Sequence, residues 1–356
     1  MVLDKEYCLN SMFPKWLLIK NIFFSNFSRL KFPYKLTFAL TYKCNLKCKI
    51  CFIWKRKQTK ELSIDEIEMF FKKSNRFSWL DLTGGEIFLR EDLLDILEII
   101  FKYCHFLSIL HFPTNGQLTE KIVGIVKKIC RLKGSRILVI TISMDGPEEI
   151  NDEIRGGKGT WMNSLNSFIE LKKLGLKFVY LGYTLSKYNS GSLEDILLAV
   201  RKYYPHVDYN DLHINIAHIS EHYFNNASLH LVPDDFSIKD IENFSKGRNG
   251  IIKNFLEQRY FRLIPNYLSS RQILLKCQAL ASTCFIDPYG DIYPCTIYDR
   301  RISNIRDIDY DLYKFWKEDR VAIIRKEILD KKCKGCWTPC EAYPTILGSI
   351  FKKRLQ

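Results

Sequence analysis

The chain of 356 residues lacks an apolar run long enough to cross a membrane. The most apolar stretch near its start, Trp16 to Phe24, is shorter than a span and is broken by Lys20 and Asn21. No small-residue cleavage site follows it, so a signal peptide is not predicted either. Lysine and arginine are scattered, and the net charge of +14 is not concentrated in one basic segment. These absences argue against a secreted, membrane-spanning or nucleic-acid-binding protein, and we expect a cytoplasmic one.

The composition present is that of a folded protein, with 47% hydrophobic and 14% aromatic residues. The length predicts a large domain and a smaller one. Twelve cysteines are many for such a chain. Cys8, Cys104 and Cys130 are assigned to buried apolar positions, whereas the other nine are clustered by spacing and need another explanation.

Three of the clustered cysteines, Cys44, Cys48 and Cys51, lie within eight residues, and no fourth cysteine or histidine lies nearby. Thiolates hold iron-sulfur clusters, and a four-iron cluster gives each iron one protein ligand. Three cysteines therefore leave one iron open. An open metal position is typical of a site for chemistry rather than for structure.

Strand-like runs alternate with amphipathic helical runs after this loop, which is the pattern of parallel βα units. The predicted strands are 36–41, 79–83, 107–112, 137–143, 178–184 and 212–217, and the predicted helices are 64–73, 91–103, 120–131, 161–174 and 193–203. Six units fall short of the eight of a closed barrel, so we predict an α/β fold with a partial (β/α)6 TIM-like barrel. Residues 1–32 are expected to form a helical extension that packs against the barrel, with a helix lying on a membrane as the alternative.

Polar residues collect where the predicted strands end, which is the edge at which function collects in parallel folds. They are Gly84, Gly85 and Glu86 after the second strand, segment 114–116 after the third, Ser143 and Asp145 after the fourth, and Arg155 further on. Glycines let the backbone approach a ligand closely, and a carboxylate accepts from an ammonium group. Taken alone, each segment reads as a turn.

A second cysteine set lies near the end of the chain. Cys277 and Cys295 bracket a predicted β-hairpin, and Cys333, Cys336 and Cys340 follow it. Paired cysteines from a hairpin and a knuckle first indicate a structural zinc site. Four thiolates bind either zinc or an iron-sulfur cluster, and spacing alone does not decide between them.

The three-cysteine loop, followed one βα unit later by Gly-Gly-Glu, resembles the signature of radical S-adenosylmethionine (SAM) enzymes. The resemblance implies that the three cysteines hold a 4Fe-4S cluster whose open iron chelates SAM. It also implies that Gly84–Glu86 binds the amino group of SAM, and that Ser143, Asp145 and Arg155 lie around its ribose and carboxylate. In this family the cluster cleaves SAM to a 5′-deoxyadenosyl radical, which takes a hydrogen atom from a substrate.

The later cysteines resemble the SPASM/twitch extension of radical SAM enzymes, which holds auxiliary 4Fe-4S clusters. The resemblance is carried by Cys-x12-Gly-x4-Cys and a later Cys-x2-Cys, in a series short enough to imply one auxiliary cluster. The implied ligands are Cys277, Cys295, Cys333 and Cys336, with Cys340 as the substitute and Cys284 as a structural residue. The implied organisation is a radical SAM core over 33–219, a helical connection over 220–270, and a small cysteine-rich domain of a β-hairpin plus helix over 271–356.

Oxidative modification of a peptide or protein is the first expected function, because it is frequent in this subgroup. A radical SAM dehydrogenase of a small molecule, such as a sugar or a cofactor precursor, is the second, and the single auxiliary site favours it. A zinc-containing nucleic-acid-binding protein is a remote alternative that leaves the cysteine loop unexplained. The resemblance also implies an electron donor such as flavodoxin or ferredoxin.

Overall fold

The computed structural model describes residues 3–57, 59–231, 244–245, 247–248, 251–270, 272 and 274–351, and of residues 3–13 and 251–254 the backbone alone. The helices are α1 (Leu3–Ser25), α2 (Ile64–Lys73), α3 (Leu93–Tyr103), α4 (Thr119–Leu132), α5 (Glu148–Arg155), α6 (Thr160–Lys173), α7 (Leu193–Arg201), α8 (Ile251–Ser270), α9 (Leu312–Phe315), α10 (Asp319–Leu329) and α11 (Pro339–Leu347). The strands are β1 (Lys35–Thr41), β2 (Trp79–Gly84), β3 (Ile109–Thr114), β4 (Ile137–Ser143), β5 (Val179–Leu185), β6 (Leu212–Ile216), β7 (Thr283–Ile286), β8 (Asp291–Tyr293) and β9 (Ser303–Asn304).

One sheet contains all nine strands, in the order β6-β5-β4-β3-β2-β1-β7-β8-β9. Strands β1 to β6 are parallel to their neighbours, as the alternation of strand and helix predicts. In β5 the burial alternates: Val179, Leu181, Tyr183 and Leu185 are buried, whereas the residues between them are only partly buried. This two-residue period gives the strand one face toward the helix-covered core and one toward the barrel interior. The predicted α/β partial barrel is confirmed.

The predicted elements agree with the observed ones to within about two residues, with two instructive differences. The third strand ends at Thr114 rather than at Phe112, so the polar segment after it begins inside the strand. Helix α5 was not predicted: the segment up to Arg155 was interpreted as turns, but it forms two helical turns ended by Gly156. Helix α2 begins with a capping box, in which the Ser63 hydroxyl accepts from the Glu66 N–H and the Glu66 carboxylate accepts from the Ser63 N–H.

The C-terminal cysteine-rich part continues the barrel sheet. Strand β7 pairs in parallel with β1, with Lys35 opposite Thr283 and Phe38 opposite Ile286. The predicted hairpin is present as β7 and β8, and β9 adds a third strand to it. This part also holds three helices, α9 to α11, which is more than the predicted hairpin plus helix. The domain boundaries stay predictions.

The helical connection expected over 220–270 lies partly outside the described residues, and within it helix α8 runs from Ile251 to Ser270. Helix α1 is anchored to the C-terminal part, because the Asn26 side chain donates to the Leu347 carbonyl at the end of α11. Within the described residues, no helix is both long and apolar enough to cross a membrane.

Candidate functional site

The loop after β1 carries the first three cysteines, and the Gly-Gly-Glu segment at the end of β2 holds it in place. The Gly85 N–H donates to the Thr41 carbonyl and the Glu86 N–H to the Lys43 carbonyl, both at 2.8 Å. A Cβ atom at position 85 would lie 2.1 Å from the Lys43 oxygen and 3.1 Å from the Cys44 Cβ. Glycine therefore allows the two motifs to lie backbone against backbone.

The three thiols of this loop face one another in a largely buried place. Cys48 is buried, and Cys44 and Cys51 are half-buried. Burial raises the pKa of Cys44 to about 11 and that of Cys51 to about 12, and the neighbouring thiol of Cys48 contributes to both shifts. A metal centre would hold these sulfurs as thiolates, so cluster assembly here would release protons.

Arg155 connects the cysteine loop with the end of β4. Its guanidinium lies 2.7 Å from Asp145 Oδ2, and it also opposes the rise that burial causes in the pKa of Cys48. The other carboxylate oxygen of Asp145 accepts from the Thr184 N–H at 2.8 Å. Ser143 is the half-buried last residue of β4. Asp145 therefore has protein partners on both oxygens and reaches the cysteines through Arg155.

Helix α5, which places Arg155, ends on the cysteine loop. The Lys49 N–H donates to the Ile154 carbonyl at 2.8 Å. Gly156 follows the helix with φ of 73°, and a Cβ there would lie 2.4 Å from the Lys47 oxygen. The left-handed glycine ends the helix and lets the loop approach it. The cysteine loop is thus packed between the end of β2 and the end of α5.

The Glu86 side chain is buried and receives hydrogen bonds from the end of β3. Its carboxylate accepts from the Thr114 hydroxyl at 3.0 Å and from the Asn115 N–H at 2.7 Å. Burial raises the pKa of Glu86 to about 7 although these donors oppose the shift. The Asn115 amide nitrogen also lies 4.0 Å from the Cys44 sulfur. The interpretation of segment 114–116 as a turn did not predict this contact. The position of the segment at the end of a strand was the signal that could have indicated it.

Four of the later cysteines, from three different chain segments, line one cavity of 1090 Å³; they are Cys277, Cys295, Cys333 and Cys336. Burial raises the pKa of the Cys336 thiol well above its usual value, and the thiols of Cys277 and Cys333 raise it further. The same neighbours, with Cys336, contribute to the raised pKa of Cys295. The structure thus brings together the four cysteines implied as auxiliary ligands.

Hydrogen-bond donors point at the sulfurs of this group. The N–H groups of Ile297 and Tyr298 lie 3.4 and 3.3 Å from the Cys295 sulfur. Arg325 is buried, donates to the Ala279 carbonyl at 2.8 Å, and its pKa is lowered by burial against the opposing effect of Cys277. Hydrogen bonds to sulfur and nearby positive charge are the features by which proteins tune iron-sulfur clusters. The donor set therefore fits such a cluster.

Cys340 lies apart from the four-cysteine group. Its carbonyl accepts from the buried Lys35 ammonium at 2.5 Å, and it is not among the residues that line the cavity. Cys284 is fully buried in β7, and Cys104 is buried as predicted, whereas Cys130 is only half-buried. The side chain of Cys8 lies outside the described residues.

Comparison with known proteins agrees with both groups of cysteines. Residues 38–200 match the Radical SAM superfamily, and residues 277–337 match SPASM, an iron-sulfur cluster-binding domain. The chain carries a radical SAM domain and a SPASM domain. It is an enzyme that uses a 4Fe-4S cluster and SAM, and its SPASM domain adds auxiliary iron-sulfur chemistry. The resemblance read from the sequence is confirmed.

Two curated relatives cover most of this radical SAM chain. The antilisterial bacteriocin subtilosin biosynthesis protein AlbA of Bacillus subtilis (strain 168) is 25% identical over 339 residues, 86% of this chain and 67% of AlbA. Mycofactocin maturase MftC of Mycobacterium ulcerans (strain Agy99) is 25% identical over 328 residues, 90% of this chain and 83% of MftC. Among solved structures, Streptococcus suis SuiB bound to S-adenosylmethionine aligns with a TM-score of 0.59 at 16% identity, over 83% of this chain and 68% of SuiB. At that identity the likeness shows a shared fold.

Among the residues that the structure describes, no three His, Cys, Asp or Glu side chains are close enough to hold a single metal ion.

A segment that the sequence analysis did not single out packs against the back of the cysteine loop. The Phe52 N–H donates to the Phe224 carbonyl at 2.9 Å. The Asn226 amide donates to the Ile50 carbonyl at 2.8 Å. Residues 218–226, here called the linking segment, therefore hold the backbone on both sides of Cys51. Residues 220–226 of this segment were predicted to begin a helical connection, but they contain turns and no helix.

The same linking segment reaches the four-cysteine group. The His222 Nε2 atom lies 2.9 Å from the Cys295 carbonyl oxygen. The Trp337 N–H, one residue after Cys336, donates to His218 Nε2 at 2.9 Å. His218 is buried, and this bond gives it a structural role. One short segment thus contacts the backbone beside cysteines of both groups.

The lower part of the barrel interior is filled by a buried charge network. The Lys35 ammonium lies 2.8 Å from the Asp81 carboxylate, and neither side chain is more than 5% exposed. His111 Nδ1 lies 3.2 Å from the same carboxylate. Burial opposes ionisation of Asp81, but Lys35 and His111 outweigh it and hold its pKa below the usual range. The network includes Lys35 at the start of β1, at the opposite end of that strand from the cysteine loop.

Proposed function

We propose that this enzyme oxidatively modifies a peptide or protein. The observation that carries the proposal is the convergence of four cysteines of the chain itself on one cavity in the SPASM part. Four protein ligands complete a 4Fe-4S cluster, so no iron stays open for a substrate. A closed cluster suits an acceptor of the electron that remains on a substrate after loss of a hydrogen atom.

A peptide or protein substrate is supported by the relatives. AlbA is named for the biosynthesis of a bacteriocin, MftC is named a maturase, and SuiB has been solved in complex with its precursor peptide SuiA. We extend that substrate class to this chain.

The roles of the residues follow from their contacts. We assign Cys44, Cys48 and Cys51 to the SAM-binding cluster, which when loaded supplies reductive cleavage of SAM to a 5′-deoxyadenosyl radical. We assign the end of β2, at Gly84 and Gly85, to the amino group of SAM, because the missing side chains let this strand end lie directly against the cysteine loop.

Three ionisable residues and one serine complete this assignment. Glu86 fixes the turn that follows the glycines through its bonds to the end of β3. Arg155 places a positive charge beside the Cys48 sulfur, and Asp145 orients it. Ser143 lies at the neighbouring strand end, where it can contact the bound cofactor.

For the auxiliary cluster we assign Cys277, Cys295, Cys333 and Cys336, and we assign Cys340 to the barrel interior. Replacing Cys336 with alanine is expected to remove about half of the iron of the reconstituted enzyme, because four of eight irons belong to that cluster. Replacing Cys340 with alanine is expected to leave the iron content unchanged. The opposite pattern would make Cys340 the ligand.

The function is tested with a peptide encoded beside the gene for this enzyme. The reconstituted protein, SAM and dithionite are incubated with that peptide, and the product is analysed by mass spectrometry. We expect a peptide that has lost two hydrogen atoms and one 5′-deoxyadenosine for each product. Cys336→Ala should still cleave SAM but form no product, and Cys340→Ala is the matched control for loss of a thiol. Regeneration of SAM during turnover would contradict the proposal.

A small-molecule dehydrogenase is the second candidate. The observation that favours it is the single four-cysteine group, which resembles the shortened auxiliary site expected for that class. Deoxyadenosine formation coupled to oxidation of a sugar or cofactor precursor, without reaction of the peptide, would select it.

A further inference from the structure

Helix α1 carries an apolar stripe that faces solvent. Trp16, Ile19, Phe23 and Phe27 follow one another at intervals of three or four residues, so they lie along one face of the helix and its end. Their exposed fractions are 57%, 64%, 46% and 64%. Phe24 is exposed beside them. Large apolar side chains in such a row are normally buried, so this face needs a partner.

A residue from the far end of the chain completes this surface. The Phe351 ring lies 5.4 Å from that of Phe23 and 5.9 Å from that of Phe27 between centroids. Phe351 is itself 57% exposed. The aromatic patch is defined as Trp16, Ile19, Phe23, Phe24, Phe27 and Phe351. Because it joins two distant chain segments, its shape is fixed by the fold.

The orientation of α1 is fixed by polar contacts on its inner side. Asn26 is buried, its amide donates to the Leu347 carbonyl at 2.9 Å, and its side-chain oxygen accepts from the Phe351 N–H at 3.3 Å. Ser25 is buried beside it and bonds to the Ile22 carbonyl. The helix thus places polar residues inward at this end and keeps the aromatic residues outward.

The charged residues that adjoin the patch along the chain are basic. No aspartate or glutamate occurs between Glu6 and Glu61, or after Glu341. Lys15 and Lys20 are exposed on α1, and the Lys20 ammonium lies 5.4 Å from the centre of the Trp16 ring. The sequence continues from Phe351 with two lysines and an arginine. Aromatic residues flanked by basic ones are typical of helices that bind in the interface of an anionic membrane.

We propose that the aromatic patch docks this enzyme onto an anionic lipid surface, with α1 lying in the plane of the headgroups. An outward-facing helix stripe offers no groove in which a peptide would be held. In a two-fold symmetric dimer the same patch of both copies would form the interface, so basic residues would face basic residues. An anionic lipid surface can contact the apolar side chains with its acyl chains and the basic side chains with its headgroups.

The test is flotation of the full reconstituted enzyme with vesicles of equal parts phosphatidylglycerol and phosphatidylcholine, and with vesicles of phosphatidylcholine alone. We expect binding to the anionic vesicles, weakened by salt, with a blue shift of tryptophan fluorescence that Trp16→Phe abolishes. The double variant Ile19→Ser with Phe27→Ser should bind about tenfold more weakly. The matched control is Leu198→Ser with Ile323→Ser, which removes two apolar residues of similar exposure, 58% and 59%, elsewhere on the surface.

Equal binding by the two double variants, or no binding to anionic vesicles, would overturn the proposal. A dimer in solution that dissociates in the Ile19→Ser, Phe27→Ser variant would also overturn it, because the patch would then be an interface between copies. Thermal unfolding of both double variants shows whether they are folded. The outcome is independent of the substrate, since SAM cleavage is measured separately.

Discussion

Gly85→Ala is expected to displace the first cysteine of the SAM-binding loop. The new Cβ would lie 2.1 Å from the Lys43 oxygen and 2.7 Å from its carbonyl carbon, where non-bonded carbon and oxygen need about 3 Å. The strand end or the loop must therefore move by roughly 1 Å. The atoms in the way belong to backbone, which cannot rotate aside as a flexible side chain can.

That movement disturbs the contact between the end of β2 and the cysteine loop. The Glu86 N–H bond to the Lys43 carbonyl, at 2.8 Å, is the contact that joins the two motifs at this point. Overpacking of this kind costs about 1–3 kcal/mol of folding free energy. A misplacement of about 1 Å at a reacting centre costs about a hundredfold in rate. We expect Gly85→Ala to stay folded but to cleave SAM about a hundred times more slowly.

The assay measures 5′-deoxyadenosine released from SAM with dithionite, together with the iron content. Gly124→Ala is the matched control: position 124 lies in α4, and a Cβ there meets nothing within 4 Å. That variant should keep full activity and gain about 0.5–1 kcal/mol of stability, because alanine favours a helix over glycine. Wild-type deoxyadenosine rates in Gly85→Ala would refute the reasoning.

Three further predictions concern buried charges. Lys35→Met leaves the buried Asp81 carboxylate without its lysine, with the Trp79 indole N–H and His111 as remaining partners, and should lower the free energy of unfolding by about 3–5 kcal/mol in urea titration. Adding Asp81→Leu should restore most of that loss, whereas Lys173→Met at an exposed position should change the free energy of unfolding by less than about 0.5 kcal/mol. The pKa of Glu86 is about 7 in the folded metal-free protein and 4.5 ordinarily, so the folded protein binds this proton more tightly than the unfolded one. The contribution of Glu86 to stability is therefore full below pH 4.5 and falls by about 3 kcal/mol as the pH rises to 7. Glu86→Gln should reduce that loss, and an equal pH dependence of the free energy of unfolding in both proteins would contradict the prediction. Arg325→Gln removes a positive charge beside Cys277 and should lower the reduction potential of the auxiliary cluster by on the order of 100 mV. The potential is measured by an electron paramagnetic resonance titration, in which the SAM-binding cluster should be unchanged and serves as the internal control.

The predictions from sequence succeeded where the signal is local. The spacing of Cys44, Cys48 and Cys51 and the Gly-Gly-Glu that follows are short patterns, and the chemistry of thiolates limits what they can bind. Strand and helix periods repeat over a few residues, so the six βα units were predictable. Helix α5 was missed because two helical turns between a glycine-proline turn and Gly156 give too little periodicity to distinguish helix from turn.

The contacts between segments that are far apart in the chain were not predictable from the sequence. The pairing of β7 with β1 makes the auxiliary part an extension of the barrel sheet, and no periodicity reports which strand a distant strand will join. The linking segment has no motif, yet its hydrogen bonds reach the backbone beside Cys51, Cys295 and Cys336.

The sequence by itself determined the chemistry of this enzyme: which thiols are present, at which spacing, and which glycines let them approach the neighbouring strand. The tertiary structure alone decided which cysteines share a site, separating Cys340 from the four that line the auxiliary cavity. It also decided that the aromatic residues of α1 face solvent, since the inner side of that helix is held by Asn26. The physical reason is that ligand chemistry is a property of individual side chains, whereas proximity and exposure depend on contacts between segments far apart in the chain.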